Sequence, residues 1–295
     1  MKKLVFFLGL MLLAGCSSVP LTGRKQLLLV SDGDVLTSSL TQYQTYMKSA
    51  TRSSDAEGTA MVTRVGKRIA LATETYLKNN GLSDQVSEFS WEFNLVKDPQ
   101  VNAFCMPGGK IVVYEGLLPL CKSDDELAVV LGHEVAHAVA KHSNERMSQE
   151  LVAQYGAQIV GAALSTKSEA IQTLGNTVYG LGAQYGAVLP FSRKHESEAD
   201  YMGLVFMTMA GYNPDVALSF WQKMSASSTT TVPEFMSTHP SDATRISAIQ
   251  KELPGIKSKY MTKAVTTTTS TNSTKARKVT STTKKSTTKR TTTRR

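Results

Sequence analysis

The sequence predicts a mainly helical α+β domain with one small sheet. Three observations carry that expectation. Helical patterning recurs in eight stretches between residues 33 and 253, two short apolar runs flank a Pro-Gly-Gly turn, and a tail nearly free of apolar residues leaves about 240 residues to build one core. The first helices are expected at 33–49 and 56–79. Residues 91–96 (Trp-Glu-Phe-Asn-Leu-Val) alternate as a strand, and after Pro107-Gly108-Gly109 the run 110–114 (Lys-Ile-Val-Val-Tyr) forms a second. A helix over 124–142 opens on Asp124, Asp125 and Glu126 and ends near Lys141, the charge order that a helix dipole favours. Leu127, Val130, Leu131, Val135, Ala138 and Val139 make it apolar nearly all round. Further helices are expected at 144–165, 168–188, 193–210, 215–226 and 241–253. Those between 155 and 188 are rich in glycine, and Lys167, Glu169, Gln172, Asn176 and Gln184 keep their apolar runs below the length of a membrane span. They are expected to pack as a hairpin over a cleft.

Within the helix at 124–142 lies His133-Glu134-Val135-Ala136-His137. Residues four apart on a helix differ by about 40° around the axis and about 6 Å along it, so both imidazoles leave from one face and can converge on one ion. Two neutral nitrogens at this spacing suit Zn²⁺, one ion per chain. Glu134 stands beside that point, placed to take a proton from water as a general base. Burying a His-Glu-His face in so apolar a helix is costly without a metal or other partners. Catalytic zinc needs a third protein ligand, and none follows at short spacing, since the next turn reads Lys141-His142. The candidate is Glu196 in Glu196-Ser197-Glu198-Ala199-Asp200, where Glu196 and Asp200 again share a face. Asp200 can then hydrogen-bond the far nitrogen of a ligand histidine. Glu198 is expected on another side, solvated or supporting.

These motifs, with Asn102-Ala103-Phe104 and Pro107-Gly108-Gly109 upstream, resemble the zincin-like gluzincin metallopeptidases of the HtpX, CAAX-prenyl-protease and mitochondrial Oma type over roughly residues 60–255. Lacking the family's membrane spans, the chain looks nearest to the soluble periplasmic and lipoprotein members of the LoiP and BepA kind. The resemblance implies that Glu196 is the third zinc ligand and that the small sheet borders the active-site cleft. It also implies that an extended substrate adds to the strand at Asn102, Ala103 and Phe104, reading backbone more than side chains. His239, in His239-Pro240-Ser241-Asp242, matches a His-Pro box whose histidine can fill zinc's open position as a switch or donate to the transition-state oxyanion. Arg245 is a further candidate in the same box. The activity so implied is hydrolysis of peptide bonds in unfolded or misassembled envelope proteins; the alternative is a chaperone or assembly scaffold with a latent, His-plugged zinc site.

The ends of the chain complete the organisation. Lys2 and Lys3, an apolar run over 4–13 and Ala14-Gly15-Cys16 make a lipoprotein signal peptide of residues 1–15, with Cys16 as the lipid-modified residue that anchors the chain to a membrane. Ser17 follows, not an aspartate of the kind that retains lipoproteins at the inner membrane, so the expected address is the periplasmic face of a bacterial outer membrane. Residues 16–55 form an N-terminal segment and helix, 56–262 the metallopeptidase domain and 263–295 a basic tail. Nine of the 33 Lys and Arg lie between Ala264 and Arg295, where there is no Asp or Glu, so the other 24 balance 24 acidic residues and residues 264–295 carry the whole +9. Such a Thr/Lys/Arg run cannot bury a core. Outside the cytoplasm its partners are anionic envelope polymers and lipid, with no nucleic acid expected. Cys105 and Cys121 are expected as buried thiols, a disulfide being the alternative.

Overall fold

The computed structural model describes residues 16–151, 192–226, 234–239 and 243–261. The leader at 1–15, residues 152–191 with the whole of the glycine-rich helical hairpin expected at 155–188, the linker over 227–233, Pro240 to Asp242 and the basic tail lie outside the described residues. The order is β1 (Cys16–Ser18), β2 (Lys25–Leu27), α1 (Asp32–Ser49), α2 (Ala56–Asn79), α3 (Ser83–Val86), β3 (Glu92–Val96), β4 (Ala103–Met106), β5 (Lys110–Tyr114), a 3₁₀ turn (Glu115–Leu120), α4 (Asp124–Val139), α5 (Arg193–Met209), α6 (Val216–Ala226), α7 (Glu234–Thr238) and α8 (Ala243–Tyr260). The described residues are mainly helical, with two small sheets.

The main sheet runs β3-β5-β4, with β5 parallel to β3 and antiparallel to β4. Every residue of β5 is buried, as suits a central strand. The hairpin from β4 to β5 turns through Gly108 and Gly109, both at positive φ (87° and 79°), with Gly109 N–H donating to the Met106 carbonyl at 3.0 Å. Strand β4 is therefore an edge, and its Cys105 N–H points away from β5 to the Glu134 carboxylate on α4, 3.2 Å away. The β1/β2 hairpin, with Cys16 opposite Leu27, has no counterpart in the expected elements. Its strands are three residues each, too short to show an alternation.

Helices α4 and α5 touch backbone to backbone. A Cβ added to Gly203 would lie 2.7 Å from the His133 amide nitrogen, and one added to Gly132 would lie 2.7 Å from the Gly203 carbonyl oxygen. Small residues at this crossing let the side chains of both helices meet on one side. Gly203→Ala must push α5 away, so overpacking should lower stability by about 1–3 kcal/mol. A thermal melt checks this, and an unchanged Tm would show that the crossing can relax.

The helix expected over 124–142 divides. Ser123 caps α4, accepting from the Glu126 amide, but the chain breaks at Ala140 and Lys141, and Lys141 takes the left-handed φ of 55°. Its ammonium group is clamped by Asp32 (2.7 Å) and Glu88 (3.0 Å), which hold that strained residue in place. Helical backbone resumes at 142 and continues to 151. At the other end, α8 passes through Pro254, where the sequence suggested a stop near 253, because buried Ile256 and Tyr260 hold the last turn to the core.

Candidate metal centre

Side chains from α4, α5 and the residue after α7 converge at one buried point. His133 Nε2, His137 Nε2, one carboxylate oxygen of Glu196 and His239 Nδ1 all lie within 4.8 Å of one another. Individual separations are 3.1 Å between the two Nε2 atoms, 3.3 Å from His133 Nε2 to His239 Nδ1, 3.1 Å from His239 Nδ1 to Glu196 Oε1, and 3.4 Å from His137 Nε2 to the same oxygen. A tetrahedron with arms of about 2.0–2.1 Å has edges of about 3.3–3.4 Å, so these spacings fit one small four-coordinate cation.

The tautomers point the same way. His133 Nδ1 lies 3.1 Å from Asp200 Oδ1, and a carboxylate only accepts, so Nδ1 carries a proton and Nε2 is the nitrogen that faces the centre, able to serve a cation once its own proton leaves. Burial opposes charge on His133, yet Asp200 and Glu196 outweigh it and raise its pKa to about 9. His137 has less anionic support, and burial drives its pKa well below the ordinary value. Although burial disfavours the Glu196 carboxylate, the surrounding histidines hold its pKa far below the usual range. This is a donor set that attracts a cation: an anionic oxygen and converging ring nitrogens in a dry site.

Glu134 stands beside these four atoms. Its Oε2 accepts from the Cys105 amide, while Oε1 makes no hydrogen bond and lies 3.4 Å from His239 Nε2. Burial raises its pKa, the direction required of a carboxylate that must accept a proton and give it back. Cys105 is close by, but burial and the Glu134 charge raise its pKa far above the ordinary thiol value, which argues against a nucleophilic role. Cys105 and Cys121 are both free.

Asp200 is gripped by Arg245, whose Nε and Nη2 reach its two oxygens at 2.7 and 2.8 Å, while Nη1 lies 2.9 Å from Glu196 Oε2. The site thus has an orienting chain His133–Asp200–Arg245. Trp221 packs edge-on to His133 at 5.5 Å between ring centres, and Phe235 stacks on His239 at 4.6 Å. Asn102, Ala103 and Phe104 lie at the start of β4; the Ala103 amide is capped by the Asn102 side chain at 2.9 Å, and the Phe104 ring meets Tyr46 and Tyr114.

His142 was absent from the expected site. On an unbroken helix a residue five after His137 lies about 140° round the axis. Only the left-handed break at Lys141 turns His142 back, to bring its Nδ1 within 2.8 Å of His137 Nδ1. Glu198, placed on another side of α5 by its spacing, is buried against His142 rather than solvated.

A family model described as peptidase family M48 matches residues 59–253. The mitochondrial metalloendopeptidase OMA1 of Schizosaccharomyces pombe is 39% identical over 203 residues, 68% of this chain and 55% of its own length. The Arabidopsis thaliana protein of the same name is 40% identical over 57% of this chain and 33% of its own. A β-barrel assembly-enhancing protease of Yersinia pestis is 31% identical over 53% of this chain and 33% of its own. The chain thus spans between about a third and about half the length of these curated relatives. They overturn the address expected from residues 2–17: mitochondrial proteins match at 33–40% identity, against a bacterial outer-membrane lipoprotein. A short basic and apolar leader ending in a small-residue cysteine motif carries too little information to stand against them.

Proposed function

The chain belongs to peptidase family M48, and from that premise we propose that it is a zinc-dependent metalloendopeptidase acting on unfolded or misassembled proteins. The observation that carries this is Glu134 Oε1, which makes no hydrogen bond and lies 3.4 Å from His239 Nε2, beside four ligand atoms at tetrahedral spacing. Zinc, when bound by His133, His137 and Glu196, supplies a Lewis acid that polarises the scissile carbonyl and acidifies water. Glu134 takes the proton of the attacking water on Oε1 and passes it to the leaving amine, while its Oε2 is held still by the Cys105 amide. Asp200 and Arg245 fix the ring of His133 throughout.

The substrate enters as an extended strand along the edge of β4 that faces away from β5, so that the main sheet borders the cleft. Asn102 Oδ1 now occupies the position on the Ala103 amide that a substrate carbonyl takes in such a pairing. Recognition through backbone favours unfolded chains over particular sequences. The test is cleavage of a permanently unfolded protein by the zinc-loaded enzyme with and without 1,10-phenanthroline. Fragments that vanish with the chelator and return with zinc are expected; zinc-loaded protein that cuts no unfolded substrate overturns the proposal.

His239 favours a second state. Its Nδ1 occupies the fourth vertex, the position that water needs, so the site as folded is closed. His239→Ala should therefore raise kcat on the same substrate. A fall of roughly 100-fold would instead identify an oxyanion donor. No change would reduce His239 to a packing partner of Phe235, and would leave the latent, scaffold-like reading without its structural support.

A further inference from the structure

Helix α5 presents three buried carboxylates at alternate positions: Glu196, Glu198 and Asp200. Glu196 joins the metal-ligand cluster and Asp200 orients His133. Glu198 has the same relation to the other ligand histidine, with one ring interposed. His137 can offer Nε2 to a cation only if its Nδ1 carries the proton, and the atom 2.8 Å from that Nδ1 is His142 Nδ1. His142 must then accept there and donate from Nε2, and Nε2 lies 3.0 Å from Glu198 Oε2, a group that only accepts. The hydrogens of the whole chain are fixed by its two ends.

Glu198 is itself held by residues far away in sequence. Arg24 Nε reaches its Oε2 at 2.6 Å, and the Thr22 hydroxyl donates to its Oε1. The rest of the Arg24 guanidinium forms a two-pronged contact with Glu145, at 2.9 and 2.6 Å, and Glu145 also receives His195 Nε2 at 2.9 Å. His195 stacks on His142 at 4.4 Å. Thr22 and Arg24 sit in the turn between β1 and β2, which is shaped by positive φ at Leu21 and Gly23 and pinned to the core by buried Val19. That hairpin lies outside residues 59–253, the span of the family match. Yet Arg24 is nearly buried, its side chain only 12% exposed, as is that of Glu198 at 5%. A guanidinium buried this far and shared between two carboxylates fixes geometry more effectively than a mobile surface pair.

We infer that the N-terminal hairpin is a working part of the metal centre, and that Arg24 is a positioning residue which sets the orientation of His137 through Glu198 and His142. This rests on the metal-site reading above. It assigns to each ligand histidine a carboxylate on α5 and an arginine behind it: Asp200 and Arg245 for His133, Glu198 and Arg24 for His137. The two arginines come from opposite ends of the folded chain, so the metal site ties both ends to the α4/α5 pair.

The experiment is a competition for zinc between a chromophoric chelator and the full chain, comparing wild type, Arg24→Met, Glu198→Gln and, as a remote control, Arg64→Met. Arg64 makes an exposed pair with Asp124 away from the centre. Arg24→Met and Glu198→Gln should bind zinc roughly 10- to 100-fold more weakly, the range for loss of an orienting partner, while Arg64→Met is unchanged. Cobalt substituted for zinc should show altered visible absorption bands in the first two variants and not in the third, a change that general destabilisation does not produce. Glu198→Gln keeps the size of the side chain and an acceptor for His142, so it guards against Arg24→Met failing to fold. Wild-type affinity and an unaltered cobalt spectrum in Glu198→Gln, or in a folded Arg24→Met, overturn the inference. A wild-type chain that holds no zinc overturns the metal-site reading beneath it, which keeps the two failures apart.

Discussion

Glu134→Gln leaves a folded, metal-loaded protein whose turnover falls by roughly 100- to 10,000-fold, the range for loss of a positioned general base. The amide matches the carboxylate in size, and its carbonyl can still accept from the Cys105 amide. What is lost is proton affinity at Oε1, a buried carboxylate oxygen beside the ligand cluster that has no hydrogen bond. The ligand atoms of His133, His137 and Glu196 are untouched, so metal content measured by atomic absorption should stay at about one per chain. Loss of activity with retention of metal separates the base from the ligands. Turnover within a few-fold of wild type would remove Glu134 from the chemistry and require another proton acceptor among the buried groups.

The helices that carry the site were legible because their patterns are local. A four-residue spacing fixes two side chains on one face whatever the rest of the chain does, which is why His133 with His137 and Glu196 with Asp200 could be paired from sequence. Charge order placed the start of α4 at Asp124. What lay beyond reach depended on tertiary contacts. The break at Lys141 is stabilised by Asp32 on α1 and Glu88 before β3, so no signal within 124–142 announces it. The position of His142 depends on that break. Arg24 is 174 residues from Glu198, and nothing in the local sequence around a three-residue strand links it to a carboxylate on α5. The contact between Gly132 and Gly203 is of the same kind: each glycine is visible in sequence, but their apposition is a property of two helices packed together.

The address failed for a different reason. The leader was read as a recognition motif, and its physics, a basic start and a short apolar run, is shared by segments bound for different membranes. Helices with buried metal-binding side chains must satisfy geometry; a leader need satisfy only a receptor.

Glu196→Gln should have an effect of comparable size through a different route. Glu196 is the only anion among the four converging ligand atoms, and its pKa is held far below the ordinary range against burial because histidines surround it. Its amide isostere occupies the same space but removes the negative charge, so the cation loses its strongest protein attraction in a site where little water is present to screen it. Metal content after dialysis against a weak chelator should fall from about one per chain to near zero, and hydrolysis should be lost with it. The fold should persist, since Arg245 keeps both contacts to Asp200 at 2.7 and 2.8 Å. Asp200→Asn provides the comparison. It leaves every ligand atom in place and weakens the grip on His133 Nδ1 together with the ion pair to Arg245, so metal affinity should drop by roughly 10- to 100-fold without disappearing. If Asp200→Asn lost its metal while Glu196→Gln retained it, the roles of the two carboxylates on α5 would be exchanged, and the tetrahedral assignment built on His239 Nδ1, His133 Nε2, His137 Nε2 and Glu196 Oε1 would have to be abandoned.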